Sequence, residues 1–106
     1  MNEAIRGVLA RLRQGLTQLY GDRLKGVYLF GSHARGEADE ESDIDVLIVL
    51  DRVDNYSQEI DRSSELVARL SLDCGRSISC VYVPEERWRH EETMFLINVR
   101  EEAIPA

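Results

Sequence analysis

Between residues 31 and 45 the chain carries residue types that folding alone does not explain. Gly31-Ser32-His33-Ala34-Arg35-Gly36 is followed by an acidic stretch, and then by Ser42-Asp43-Ile44-Asp45 leading into Val46-Leu47-Ile48-Val49-Leu50. Asp43 and Asp45 stand two apart in a run that reads as a strand, so their side chains share a face. Strands disfavour Asp, and two like charges on one face repel. A fold that keeps such a pair usually has a cation there. Mg²⁺ is commonly held by one or two carboxylates together with substrate phosphates. The plainer alternative has Asp43 capping the preceding turn and Asp45 on a solvated edge.

The glycine turn adds weight to the first reading. Gly31 after a strand and Ser32 opening a short helix offer free backbone N–H groups, a hydroxyl and a positive dipole end to a phosphate. Arg35 can add a charge-assisted hydrogen bond. Gly36 is expected to supply a backbone position with positive φ. The spacing from Gly31 to Gly36 also suggests a P-loop, but that motif needs Lys and then Ser or Thr next, and Glu37 and Ala38 stand there. The P-loop reading fails. His33 reads as a solvated loop histidine and His90 as a surface residue. Tyr28, Tyr82 and Trp88 read as core aromatics rather than base-stacking platforms.

The elements that must position these residues follow from periodicity. The first twenty residues read as an amphipathic helix, with Ile5, Val8, Leu9, Leu12, Leu16 and Leu19 on one face and Gly21-Asp22 as its stop. Val27-Tyr28-Leu29-Phe30 reads as a strand, and Val46 to Leu50 as a second. Residues 55–73 give a second long helix, with Ile60, Leu66, Val67 and Leu70 toward the core and Cys74-Gly75 at its end. Ser77 to Val83 is the third strand. Pro84-Glu85-Glu86 opens a last helix, and Phe95-Leu96-Ile97-Asn98-Val99 is apolar enough to return to the sheet. The expected fold is α/β (α+β): a small mixed or antiparallel three-stranded sheet with helices packed on it. The link from Phe30 to Asp43 is about a dozen residues, tight for a parallel crossover, so antiparallel neighbours are expected. The glycine turn and the two aspartates then meet at one edge.

At 106 residues the chain reads as one domain, residues 1–106, with 43% apolar and 31% charged residues. Thirteen Lys and Arg against twenty Asp and Glu give a net charge of −7, which argues against a broad electrostatic hold on nucleic acid. Glu37, Asp39, Glu40 and Glu41 crowd the approach to Asp43 and read as a solvated acidic loop. No run resembles a signal peptide or approaches a membrane span, so a cytoplasmic location away from membranes is expected. Cys74 and Cys80 lack metal-ligand spacing and read as buried thiols.

Gly31-Ser32-x-x-Arg35-Gly36, then Ser42-Asp43-Ile44-Asp45-Val46 and an apolar strand, resembles the signature of DNA polymerase beta-type nucleotidyltransferases. It is similar, more narrowly, to the small prokaryotic minimal nucleotidyltransferases. The likeness runs from the leading helix to the ending Asn98-Val99-Arg100-Glu101-Glu102. It implies transfer of a nucleoside monophosphate, usually AMP from ATP, to a hydroxyl acceptor. Gly31 and Ser32, with Arg35 and Gly36 in the same turn, would form the nucleotide-binding segment. Asp43 and Asp45 would be the catalytic pair and would hold Mg²⁺ (or Mn²⁺), which bridges phosphates during an in-line displacement. The resemblance also implies a small helical partner of the HEPN type, in a toxin–antitoxin pair whose transferase adenylylates the toxin.

One expectation of that family is unmet. Its active members generally carry a third carboxylate on the strand beside the aspartate pair, and Arg76-Ser77-Ile78-Ser79-Cys80-Val81-Tyr82-Val83 has none. The expected position falls near Ser77 or Ser79. Two readings follow: an active transferase acting on a partner protein, or a binding module that keeps the fold and covers its partner without chemistry. Trp88, Met94, Phe95, Leu96, Ile97 and Val99 exceed what one side of a small sheet needs, which points to a protein partner or to self-association.

Overall fold

The computed structural model describes residues 3–106. Helix α1 (Glu3–Tyr20) runs into a 3-10 turn (Gly21–Arg23) and strand β1 (Leu24–Phe30). The short helix α2 (Ser32–Arg35) and the acidic loop lead to β2 (Ile44–Leu50). Helix α3 (Tyr56–Cys74), β3 (Ile78–Pro84), helices α4 (Glu85–His90) and α5 (Met94–Glu102), and a two-residue β4 (Ile104–Pro105) complete the order. The sheet has the order β3-β2-β1-β4. It is mixed: β1 is antiparallel to β2 and to β4, while β2 and β3 run parallel through the α3 crossover. The three expected strands are present in the expected class of fold, and β4 adds a fourth.

Alternation along β2 divides the molecule into two layers of core. Ile44, Val46, Ile48 and Leu50 pack with Ile5, Leu9, Leu12 and Leu16 of α1 and Leu70 of α3. Leu47 and Val49 point the other way, against Val83 and against Leu96 and Val99 of α5. Beyond Asp45 both faces of β2 are covered, so its sequence from Val46 to Leu50 is apolar throughout rather than alternating. Burying each such side chain contributes roughly 1.5–3 kcal/mol.

The helix ends follow local chemistry. Asn55 caps α3 by accepting from the Gln58 amide, and Gly75 closes it in the left-handed region at φ 68°. Thr93 caps α5 by accepting from the Leu96 amide. That cap breaks the expected single last helix into α4 and α5. Two expected core positions are also corrected. Leu19 is exposed and Tyr20 is buried in its place, because the apolar stripe continues from Leu16 to the residue four further on. Ile60 is exposed, while Glu59 beside it turns inward to an internal ion pair. Tyr82 is core, and Tyr28 and Trp88 pack on each other with ring centroids 4.9 Å apart. No described helix is long and apolar enough to cross a membrane.

Candidate active site

The antiparallel pairing of β1 with β2 sets Phe30 opposite Asp45. Gly31, the next residue, therefore meets Asp45 directly. Gly31 has φ 76° and ψ −156°, a region open in practice only to glycine. A methyl group placed on it would fall inside the contact distance of Asp45 Oδ2. Glycine is required here twice over, by backbone conformation and by the approach of a carboxylate. Gly36 closes α2 in the left-handed region at φ 75°, as its place in the motif suggested. The amides of Ala34 and Arg35 both donate to the Gly31 carbonyl at 3.1 Å, which fixes the turn.

Asp45 is half-buried on the face of β2 that looks toward α5, and Asp43 is exposed one residue before the strand. The two carboxylates interact. Burial first, and then the charge of Asp43, raise the Asp45 carboxyl above its ordinary value; His33 and Arg35 oppose the shift and Glu102 adds to it. Across the parallel pairing, Asp45 stands beside Ser79. The Ser79 hydroxyl donates to Asp43 Oδ2 at 3.5 Å, the outer limit of a hydrogen bond. Of the two serines expected near the missing carboxylate, Ser79 is the one the register sets beside the pair.

The other motif residues are more occupied than the sequence suggests. Arg35 donates to Glu37 at 3.2 Å and to Glu102 at 3.1 Å. Its guanidinium is held above its ordinary value, chiefly by the Glu37 hydrogen bond and, against slight desolvation, by Glu102. His33 lies 3.3 Å from the Ser42 carbonyl through Nε2 and is half-buried rather than free in solvent. The acidic loop is internally bonded. Asp39 accepts from the Glu41 amide and the Ser42 hydroxyl, and Arg76 donates to the Asp39 and Glu40 carbonyls at 3.0 Å. A cavity of about 430 Å³ borders the turn at His33, Gly36, Asp39 and Arg76, beside the aspartate pair rather than over it.

Glu102 also belongs to the site, although no sequence signal assigns it a role there. Its Oε2 accepts from the Gly31 amide at 2.6 Å and from Arg35 Nη1 at 3.1 Å. Nothing local marks it, since it lies 71 positions from Gly31. Only its place in the closing segment shared with the nucleotidyltransferases pointed there.

The donor set fits a divalent cation in one particular way. Among the described residues, no group of three or more His, Cys, Asp or Glu side chains could hold a metal alone. Asp43 and Asp45 are two close carboxylates, one carrying a raised pKa that a cation would relieve. Mg²⁺ bound by two carboxylates takes its remaining oxygens from water and phosphate. The site suits a cation that arrives with a polyphosphate.

A mixed sheet bearing a glycine turn against an aspartate pair defines a class, and the chain belongs to it: residues 9–103 match the model of the nucleotidyltransferase domain family. By class it is a nucleotidyltransferase. A chain of Methanocaldococcus jannaschii, named provisionally as a protein adenylyltransferase, is 39% identical over 88 residues, 82% of each chain. The fold matches a solved structure described as a candidate minimal nucleotidyltransferase with TM-score 0.57 and 27% identity, over 95% of this chain and 94% of that one. It also matches a toxin–antitoxin crystal structure with AMP-PNP, with TM-score 0.60 and 23% identity, over 89% of this chain and 68% of that one.

Proposed function

We propose that the chain transfers AMP from ATP to a hydroxyl group of a partner protein, as the antitoxin of a pair whose toxin is a small helical HEPN-type protein. The observation that carries this reading is the direct meeting of Gly31 and Asp45, which brings a phosphate-binding turn and a cation-binding pair into contact. The relative's name as a protein adenylyltransferase supports a protein acceptor. The toxin–antitoxin structure with AMP-PNP supports the setting. The resemblance supplies the HEPN type.

In this reading Ser32 and the amides of the turn hold the triphosphate. Asp43 and Asp45 hold Mg²⁺ or Mn²⁺, which when bound neutralises phosphate charge and stabilises the attacking and leaving oxygens. Gly31 keeps the turn close enough for both to touch one substrate. Ser79 cannot act as a general base near neutral pH, so the acceptor hydroxyl must lose its proton to another group.

The test is transfer of labelled AMP to a HEPN-type partner in Mg²⁺. Asp43→Asn with Asp45→Asn should reduce transfer about a hundredfold or more, since no other carboxylates in the site are placed to hold the cation that would neutralise the phosphates. Calorimetry should show ATP binding that is lost in excess chelator. Transfer that survives the double substitution would overturn the assignment. A wild type that transfers nothing, with a double mutant that still neutralises the partner, would mean a binding-only protein, the outcome favoured by the serine at position 79. Ser79→Asp would then be expected to restore transfer.

A further inference from the structure

Glu102 closes α5, and one of its carboxylate oxygens bridges two parts of the glycine turn, the Gly31 amide and the Arg35 guanidinium. The β1–β4 ladder explains why. Leu29 pairs with Ile104, Tyr28 with Pro105, and the Ala106 amide donates to the Val27 carbonyl. Continued two residues past Leu29, this register sets Glu102 against Gly31. A regular strand would offer Gly31 a main-chain carbonyl there, but residue 102 ends a helix, so its side chain supplies the acceptor. The Gly31 amide is thereby committed to the sheet edge. The amides of Ser32 and His33, which open α2 and have no intrahelical acceptor, are left as the donors of the turn.

We propose that Glu102 is a positioning residue for the nucleotide turn: it pins Gly31 and Arg35 to the C-terminal segment and so holds the turn preorganised against Asp45. The proposal rests on the nucleotidyltransferase reading of that turn. It has a clear competitor, because a carboxylate beside Gly31 and Arg35 could instead obstruct phosphates. The two differ in sign. A pin loosened by truncation weakens nucleotide binding, whereas an obstruction removed strengthens it.

The experiment compares Glu102→Ala and Glu102→Gln with Glu101→Ala, an exposed neighbour. Two quantities are read: amide hydrogen exchange at residues 31–35 without ligand, and the dissociation constant of ATP in Mg²⁺. Glu102→Ala should speed exchange at Gly31, Ala34 and Arg35, the amides of the turn that are hydrogen-bonded, and weaken ATP binding, each about tenfold, the scale of a charge-assisted hydrogen bond. Exchange at Val46–Val49 should not change. Glu102→Gln keeps an oxygen acceptor and should stay within about threefold of wild type on both measures. Glu101→Ala should match wild type. Should Glu102→Ala not fold, Glu102→Asp, one methylene shorter, takes its place with the same expectations. Unchanged exchange in the truncated variant would overturn the proposal, as would tighter ATP binding in both the alanine and glutamine variants. A wild type that binds no ATP, with turn protection still lost on truncation, would instead sink the nucleotide reading and leave the pin standing.

Discussion

Strand β2 has an acid near each end, and the two live in opposite conditions. Asp51, just past the strand, accepts from Arg23 Nε at 3.0 Å and from the Arg52 amide. Some desolvation works against it, but Arg23 and the Arg52 amide more than offset this and hold its carboxyl below the ordinary value. The same Arg23 reaches Glu59, only 4% exposed, at 2.7 Å, with Arg62 3.8 Å from the other oxygen. Tyr20 and Ser63 donate to the Glu59 carbonyl, and Ser63 shares a short hydrogen bond with Tyr82. At the other end, Asp45 faces Asp43 with Glu102 near; His33 and Arg35 oppose the rise of its carboxyl by charge alone, and Arg35 is taken up by Glu37 and Glu102. One end has its cations built in. The other has, among the described residues, no cation bonded to Asp45, the condition the proposed reading requires of a site that would take a metal-bound polyanion.

The largest effect expected from breaking that contrast lies at the paired end. Arg23→Ala leaves the Glu59 carboxylate buried with only the distant Arg62, and removing one partner of a buried pair costs about 3 kcal/mol or more. For a domain of this size that lowers the melting temperature by roughly 10 °C or more. The dissociation constant of ATP in Mg²⁺, measured below the new melting range, should be unchanged. If it rises with the loss of stability, the two ends are coupled rather than independent.

At the site end the corresponding change is Gly31→Ala. Strain of a non-glycine residue in this region costs about 1–3 kcal/mol, and the added methyl meets Asp45 Oδ2 as well. The expected outcome is a smaller loss of stability than for Arg23→Ala together with a loss of ATP binding of at least about tenfold. The ratio of the two effects is the measurement that matters. A variant that melts lower yet binds ATP normally would show that the turn's approach to Asp45 has no functional role.

How far the site could be read from the sequence follows the same division. The contact of Gly31 with Asp45 was legible because it depends on local facts: a strand ending at Phe30, a link too short for an easy parallel crossover, and a strand starting near Asp43. The layer of core under α1 was legible in the same way from the periodicity of that helix, whereas the second layer, where Leu96 and Val99 cover Leu47 and Val49, was legible only in part, because those apolar residues also read as an excess for a partner. The Glu102 pin was not, because it depends on a two-residue strand with no pattern of its own and on a helix ending at the right height. Nor was Glu59. An acid next to Ile60 on an amphipathic helix reads as surface, and only the position of Arg23 on another element makes its burial tolerable. The break at Glu91–Thr93 was hidden for a further reason: Thr93 is an ordinary cap, but the apolar pattern continues past it and masks the stop.

The smallest effect tests the unmet charge itself. Asp45→Asn removes one of the crowded carboxylates without changing its shape. In the metal-free protein near neutral pH it should raise the melting temperature by about 1–3 °C, the scale of a few tenths of a kcal/mol for a partly screened charge interaction. The pH dependence fixes the sign. A raised folded pKa means that the folded protein binds the Asp45 proton more tightly than the unfolded chain does. The penalty for keeping Asp45 ionised is therefore full above the raised folded value. It fades as pH falls through that value and is gone below the ordinary carboxylate value of the unfolded chain. The melting difference between Asp45→Asn and wild type should shrink over that window, while Asp51 and Asp39, both held low, act equally in the two proteins and cancel. Adding Mg²⁺ with ATP should reverse the order near neutral pH, because a ligand bound only by the wild type raises its stability by mass action. A substitution that lowers the metal-free melting temperature, or a difference that persists in acid, would mean that Asp45 is already satisfied within the fold.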